Sequence, residues 1–408
     1  MNIKETKQSI RVLFVPDQIT GESSGARSAR TTLRTLLDVG CKVAVYRRAD
    51  ESGPLEPWTT QVTYYSSRSA WRFNTHFFSL VFWRESSAIL DEFRPDYIFF
   101  AGGIQKPSIL ARAARKRAIK TVYLFYITDY YCAKVYAGLE DGPCFKCLEE
   151  NSFQALTNNC IKQTPKLLHF TKNWLVRQQV KKEVTNSYRV LGYSKNQLSI
   201  YNKYGVDKNK CVKIPFQFDP IETVDWITND RGYFLLAGQP SIEKGWHTLS
   251  EVFGACRSDI RIKIVFKNFS QAMEMLKQYA LTRFYDMGMI EIEHSVDERS
   301  EILSLISHAR AAIVPSYYPT TGEFALLEPL LLGKPVAVYN VGAHKDLIIH
   351  RENGMVANVD ELELFAENID ELNTDSSLRH SLSIGARELG KRIMRDSEKQ
   401  KIFGEIFC

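Results

Sequence analysis

Short runs of β-branched and aromatic residues recur along this chain, spaced so that a helix fits between neighbours. In the first half they are "RVLFV" (11–15), "KVAVY" (42–46), "DYIFF" (96–100), "TVYLFY" (121–126), "LLHF" (167–170) and "RVLGY" (189–193). In the second half they are "YFLLA" (233–237), "IKIVF" (262–266), "IEIE" (290–293), "AAIVP" (311–315) and "PVAVY" (335–339). Most are continuously apolar and do not alternate, the mark of strands buried on both faces. Such strands, separated by helical patterns, predict an α/β fold of parallel sheets covered by helices on both sides. At 408 residues the chain exceeds one ordinary core and predicts two Rossmann-like domains.

The segment "KIPFQFDPIETVDWITND" (213–230) has two prolines and no sustained periodicity, and it reads as the linker. It divides the chain into an N-terminal domain, 1–215, and a C-terminal domain, 216–390, with a terminal helix, 391–408, expected to pack back on the first domain. Ligands of doubly wound sheets bind beyond the carboxyl ends of the strands, so two facing sheets predict a cleft with the chemistry in its loops. A formal net charge of +6 favours acidic partners such as nucleotide phosphates or an anionic lipid surface. For this length it is too mild to imply nucleic acid. The polar N-terminal arm and the lack of any apolar stretch near the roughly 20 residues of a bilayer span predict a cytoplasmic protein, touching a membrane only from outside.

Two stretches of the second half carry chemistry. "LLAGQPSIEKGWHTL" (235–249) runs from strand through a glycine turn into a helix, placing Gly238, Gln239 and Lys244 where a cation can meet a phosphate. A solvated lysine on an ordinary turn is the plainer reading. In "AAIVPSYYPTTGEFALLEPLLLGKPVAVYNVGAHKDLI" (311–348), Thr320, Thr321 and Gly322 are expected to present backbone N–H groups at a helix start. Glu328 lies further along that helix, where a carboxylate could accept both hydroxyls of a ribose. A surface carboxylate favoured by the helix dipole is the alternative.

In this order of motifs the chain resembles the retaining GT-B glycosyltransferases, specifically glycosyltransferase family four. The pattern comprises strand, "G-x-x-x-x-E-K-G", "P-S" loop, helix with glutamate, "G-K-P-V", strand and "V-G" turn. The resemblance covers about residues 231–400; the first half matches in outline, through "TGESSGARSARTTL" (20–33), which contains Gly25, and the segment 192–219. It implies a GT-B fold and transfer of a sugar, with retention, from a UDP- or GDP-sugar to a glycan, lipid-linked or other glycoconjugate acceptor, without a catalytic metal. By the same resemblance Glu328 binds the ribose, Lys244 neutralises the diphosphate and the Thr320–Gly322 turn faces the phosphates or sugar. A family glutamate eight residues before the ribose-binding one is here Thr320, with Glu323 close enough to stand in. Gln239 replaces a usual arginine, and "YITDYY" (126–131) has Thr128 before Asp129 where a His-Asp pair is common. These departures keep a second reading open, a GT-B-like binding or scaffold subunit without catalysis; a nucleotide-sugar epimerase fits the spacing less well.

Eight cysteines in a chain of this kind argue against a disulfide framework. Cys41, Cys211, Cys256 and Cys408 are scattered and read as small hydrophobes. Cys132, Cys144, Cys147 and Cys160 are clustered, with a C-x-x-C pair flanked by spacings of eleven and twelve residues. That pattern fits a structural zinc loop better than a ferredoxin cluster. Reduced buried thiols are the alternative, and a redox pair a weaker one. Trp71, Phe73, Phe77, Phe78, Phe82 and Trp83 make 69–90 a core helix or an interfacial patch, and the basic run 111–120 offers a solvated face or a peripheral membrane contact. His76 and His169 are isolated, whereas His344 is expected in a donor-facing turn.

Overall fold

The computed structural model describes the chain except residues 1–8, 48–50, 52–60, 68–79, 104–107, 219–229, 237, 295, 297 and 408. Trp71, Phe73, His76, Phe77, Phe78, Cys408 and most of the expected linker therefore lie outside the described residues. Two compact units emerge. The first comprises 1–135, 146–219 and 395–408, and the second 136–145 and 220–394.

In the first unit the strands are β1 (Arg11–Pro16), β2 (Lys42–Arg47), β3 (Thr63–Ser66), β4 (Tyr97–Gly102) and β5 (Lys120–Phe125). A two-stranded hairpin, β6 (Gly138–Leu139) and β7 (Gly142–Pro143), leaves this unit for the second, after which β8 (Arg189–Gly192) and β9 (Cys211–Lys213) complete the sheet. The seven strands run parallel in the order β3-β2-β1-β4-β5-β8-β9. Chain order reverses between β1 and β4, the topological switch point. Residues 167–170, expected as a strand, instead belong to the helix Lys166–Thr185, in which Phe170 is buried and Leu167 and Leu168 are exposed. A four-residue apolar run cannot by itself distinguish the two structures. The last helix, Asp396–Phe407, buries Phe403 and Phe407 against Phe99, and Phe407 also meets Tyr97 edge-on at 5.3 Å.

The second unit contains β10 (Phe234–Leu236), β11 (Ile262–Val265), β12 (Ile290–Glu293), β13 (Ala311–Val314), β14 (Val336–Tyr339) and β15 (Met355–Ala357). They too are parallel, in the order β12-β11-β10-β13-β14-β15. The switch point falls between β10 and β13. One face packs Phe234, Leu236, Ile262, Ile264, Ile313 and Ala337 against Trp246, Phe253, Phe365 and Leu372. Loops leaving β10, β13 and β14 thus open side by side at the carboxyl edge of one sheet.

Candidate functional site

Those three loops of the second unit deliver a cluster of charged side chains. After β10 the chain turns through Ser241–Lys244 to Gly245, whose φ of 74° precedes a 3-10 turn, Trp246–Thr248. A β-carbon on Gly245 would lie 1.8 Å from the Pro315 carbonyl oxygen, so only glycine lets the loops after β10 and β13 approach this closely. Lys244 Nζ is thereby held within 3.3 Å of the Tyr318 hydroxyl and 4.9 Å from that ring's centroid. It also forms an ion pair with Glu323.

Glu323 is the N-cap residue of the helix Phe324–Leu331, with extended backbone at φ −90° and ψ 149°. Its carboxylate does not cap that helix. Instead it takes Lys244 on one oxygen and faces His344 Nε2 at 3.2 Å with the other. His344, buried after β14, has Nδ1 3.0 Å from the Tyr339 carbonyl. Both its ring nitrogens therefore face oxygen acceptors. Burial pushes the Glu323 carboxyl up, but Lys244 and His344 outweigh it and hold the group well below the usual range. For Lys244 burial works against the ammonium, and Glu323 with Tyr318 raises it above the ordinary lysine value. The sequence offers Glu323 only as a stand-in near the donor; the geometry makes it the hub of the cluster.

The Thr320–Gly322 turn is more self-contained than its sequence suggests. Thr320 N–H donates to the Tyr318 carbonyl at 2.7 Å and Gly322 N–H to Thr320 Oγ1 at 3.2 Å. The helix opens only at Phe324, so these two N–H groups are not its first free donors. Thr320 is buried, Thr321 half-buried, and Gly238 and Gln239 are exposed in the loop after β10.

Glu328 lies in the same helix, directly before Pro329. It is buried at 5% exposure and not on the surface, and Arg299 Nε, from the start of the helix Arg299–His308, lies 3.4 Å from its Oε1. No periodicity or motif singles out Arg299 or Tyr318, since their roles depend on which loops the sheet brings together.

In the first unit the switch point also gathers carboxylates. Asp17 follows β1 and accepts from the Gly103 backbone N–H just past β4. Asp129 follows β5, is buried, and sits so close that a β-carbon on Gly103 would lie 2.5 Å from its Oδ2. Gly25 occupies the first turn of the helix Ser24–Asp38, near the Tyr126 ring. Arg177 donates to the Asp129 and Cys132 carbonyls at 3.1 and 2.9 Å, and burial holds it below the ordinary arginine range. Asp17 and Arg177 are absent from the sequence reading, although an acid directly after an apolar strand is a recognisable signal for Asp17.

The expected four-cysteine zinc site is not formed among the described residues. Cys147 and Cys160 pack against Ala155, Ile161 and Phe170, and the Arg177 guanidinium lies in the field of Cys132 and Cys147, where it would repel a dication. Among the described residues no three His, Cys, Asp or Glu side chains form a metal-holding group. The basic run 111–120 is similarly engaged: Arg115 pairs with Glu183, Arg117 with Asp91, and Lys116 lies over Trp83.

Residues 224–389 match the family Glycosyl transferases group 1. The capsular polysaccharide biosynthesis glycosyltransferase CapM of Staphylococcus aureus is 23% identical over 252 residues, which cover 58% of this chain and 57% of that protein. Two solved structures share the fold throughout. Sucrose-phosphate synthase from Thermosynechococcus elongatus superposes with a TM-score of 0.67 at 14% identity, covering 98% of both chains. Anabaena HepE in complex with UDP-glucose gives 0.64 at 14% identity, covering 97% of this chain and 98% of that one. The chain thus has the GT-B fold throughout, and its second unit matches the Glycosyl transferases group 1 family over residues 224–389.

Proposed function

We propose that this protein transfers a sugar, with retention as in glycosyltransferase family four, from a nucleotide-sugar donor to a glycan or lipid-linked acceptor. The observation that carries this reading is the Lys244–Glu323–His344 cluster at the carboxyl edge of β10, β13 and β14, across the switch point of a parallel sheet. The UDP-glucose bound by HepE supports a UDP-sugar as donor, with a GDP-sugar as the second choice. Lys244 supplies fixed positive charge for the leaving diphosphate, and Glu323 holds it in place beforehand, so that little reorganisation is needed as charge develops. Glu328, aimed by Arg299, accepts the ribose hydroxyls. In the first unit Asp129 serves as a catalytic residue and Gly25 as a donor-binding one. Gln239, Thr320, Thr321 and Gly322 line the donor's phosphate and sugar end, and no metal takes part in transfer. A thermal-shift screen over UDP-, GDP-, ADP- and dTDP-sugars, followed by product analysis with the best donor, tests the reading. Stabilisation by none of them would overturn it.

A lipid-linked acceptor would bring the protein to a membrane, and the helix Lys166–Thr185 is suited to that contact. Leu167, Leu168, Trp174 and Leu175 share one helical face and remain 67%, 63%, 39% and 43% exposed. The helix carries Lys166, Lys172, Lys181 and Lys182, and its single acid, Glu183, is buried against Arg115. An apolar stripe flanked by cations matches an anionic bilayer surface, which attracts each basic residue by about 1 kcal/mol. No helix among the described residues is long and apolar enough to cross a membrane.

A further inference from the structure

The hairpin Tyr136–Phe145 is the one part of the cysteine-rich segment that clusters with the second unit. It touches the loops around the charged cluster at several points. The Tyr136 ring meets Tyr318 edge to face, with centroids 5.4 Å apart and planes at 78°. Gly138 lies so close that a β-carbon would stand 3.1 Å from Tyr318 Cβ and 3.2 Å from Glu243 Cγ. The Glu140 carbonyl accepts from His247 Nε2 at 3.1 Å, and Gly142 lies against Val359. Tyr318 is the residue on which Lys244 rests, through both its hydroxyl and its ring face.

Tyr136 is 39% exposed, so burial of its own surface gives little reason for an aromatic side chain there. Its contact with Tyr318 gives a better one, because the ring pair braces Tyr318 from the hairpin side. We propose that Tyr136 is a positioning residue which, through Tyr318, fixes the Lys244 ammonium at the donor diphosphate, making the hairpin part of the donor site. The inference rests on the proposed role of Lys244 in transfer, but its physical core, a hairpin that sets the position of one lysine, does not require knowing the donor.

The test uses the full chain with Tyr136→Ala, Tyr136→Phe and Gly138→Ala, each first checked for folding by circular dichroism. An edge-to-face contact needs the ring and not the hydroxyl, so Tyr136→Phe should restore what Tyr136→Ala loses. Tyr136→Ala should lower kcat about two- to tenfold, the range an aromatic pair is worth, with a smaller change in donor KM. Gly138→Ala, which lifts the hairpin, should behave likewise. A second readout needs no substrate: acetylation of Lys244 by limiting acetic anhydride, followed by mass spectrometry. Labelling of Lys244 should rise in Tyr136→Ala and return to the wild-type level in Tyr136→Phe, while Lys263, paired with Glu293 elsewhere, stays constant. If wild type transfers no sugar yet Lys244 labelling rises in Tyr136→Ala, the donor assignment fails and the hairpin's hold on Lys244 stands. Unchanged Lys244 labelling in Tyr136→Ala overturns the inference, whatever the activity.

Discussion

Glu323 and Lys244 are the residues whose removal should be most informative. The folded Glu323 carboxyl lies below its unfolded value, so its stabilising contribution is present above about pH 4.3 and fades as pH falls towards the folded value. The folded Lys244 value is raised, so its contribution is present below about pH 10.4 and is lost only as pH climbs through the folded value. Breaking such a buried pair costs about 3–5 kcal/mol. Glu323→Gln should therefore lower the melting temperature most near neutrality, with the difference from wild type shrinking below about pH 4; an equal loss at pH 3 and pH 7 would refute the pairing. Lys244→Ala should reduce kcat more than it raises donor KM, because charge on the leaving diphosphate grows in the transition state, and steady-state kinetics checks this. Glu328→Ala should weaken nucleotide binding by roughly 1.5–3 kcal/mol, the worth of a charged hydrogen bond, measured by calorimetry. Lys244 and Glu328 are legible in sequence because each sits at a fixed distance from a glycine turn or helix start. Tyr318 and Arg299 are not, because nothing local marks a residue whose partner arrives from another loop.

Among the elements, central strands are the easiest to read. β1 and β4 are buried along nearly their whole length and so appear as unbroken apolar runs. Besides the short hairpin β6–β7, the strands missing from the sequence reading, β3, β9 and β15, are sheet edges of three or four residues, and β3 and β9 have no fully buried position. An edge strand with one neighbour needs no continuous apolar run, so its pattern fades into that of a loop. The helix Lys166–Thr185 misleads for the opposite reason, since Leu167 and Leu168 in its first turn are apolar yet face outward while Phe170 faces the core. If that face meets lipid, wild-type protein should sediment with anionic phosphatidylglycerol vesicles at low salt and not with neutral phosphatidylcholine vesicles. Leu167→Ser combined with Leu168→Ser should abolish the pelleting. The cysteine segment yields a plainer expectation: with Arg177 donating to the Cys132 carbonyl beside these thiols, the purified protein should carry well under one equivalent of zinc by elemental analysis, and a full equivalent would show that the four sulfurs gather round a metal.

At the scale of the whole molecule, the units are not consecutive stretches of chain. The path changes unit after residues 135, 145, 219 and 394, whereas the sequence reading sets boundaries only near residues 215 and 390 and leaves the excursion at 136–145 unmarked. A ten-residue excursion has too few residues to carry a pattern of its own, and its membership is decided by contacts with residues far away in sequence. The return of the terminal helix should be worth a great deal to the first unit. Phe407 is fully buried, and Phe407→Ala should cost about 3–5 kcal/mol in urea unfolding of that unit. The interleaving also sets a timetable for synthesis. Phe403, which packs on Phe99, leaves the ribosome 304 residues after it. At roughly 5–20 residues per second, the β4 strand waits about 15–60 seconds for its last covering helix. Until then the nascent chain displays an aromatic face that only the helix Asp396–Phe407 closes, so the first unit is finished only after the whole of the second has been made.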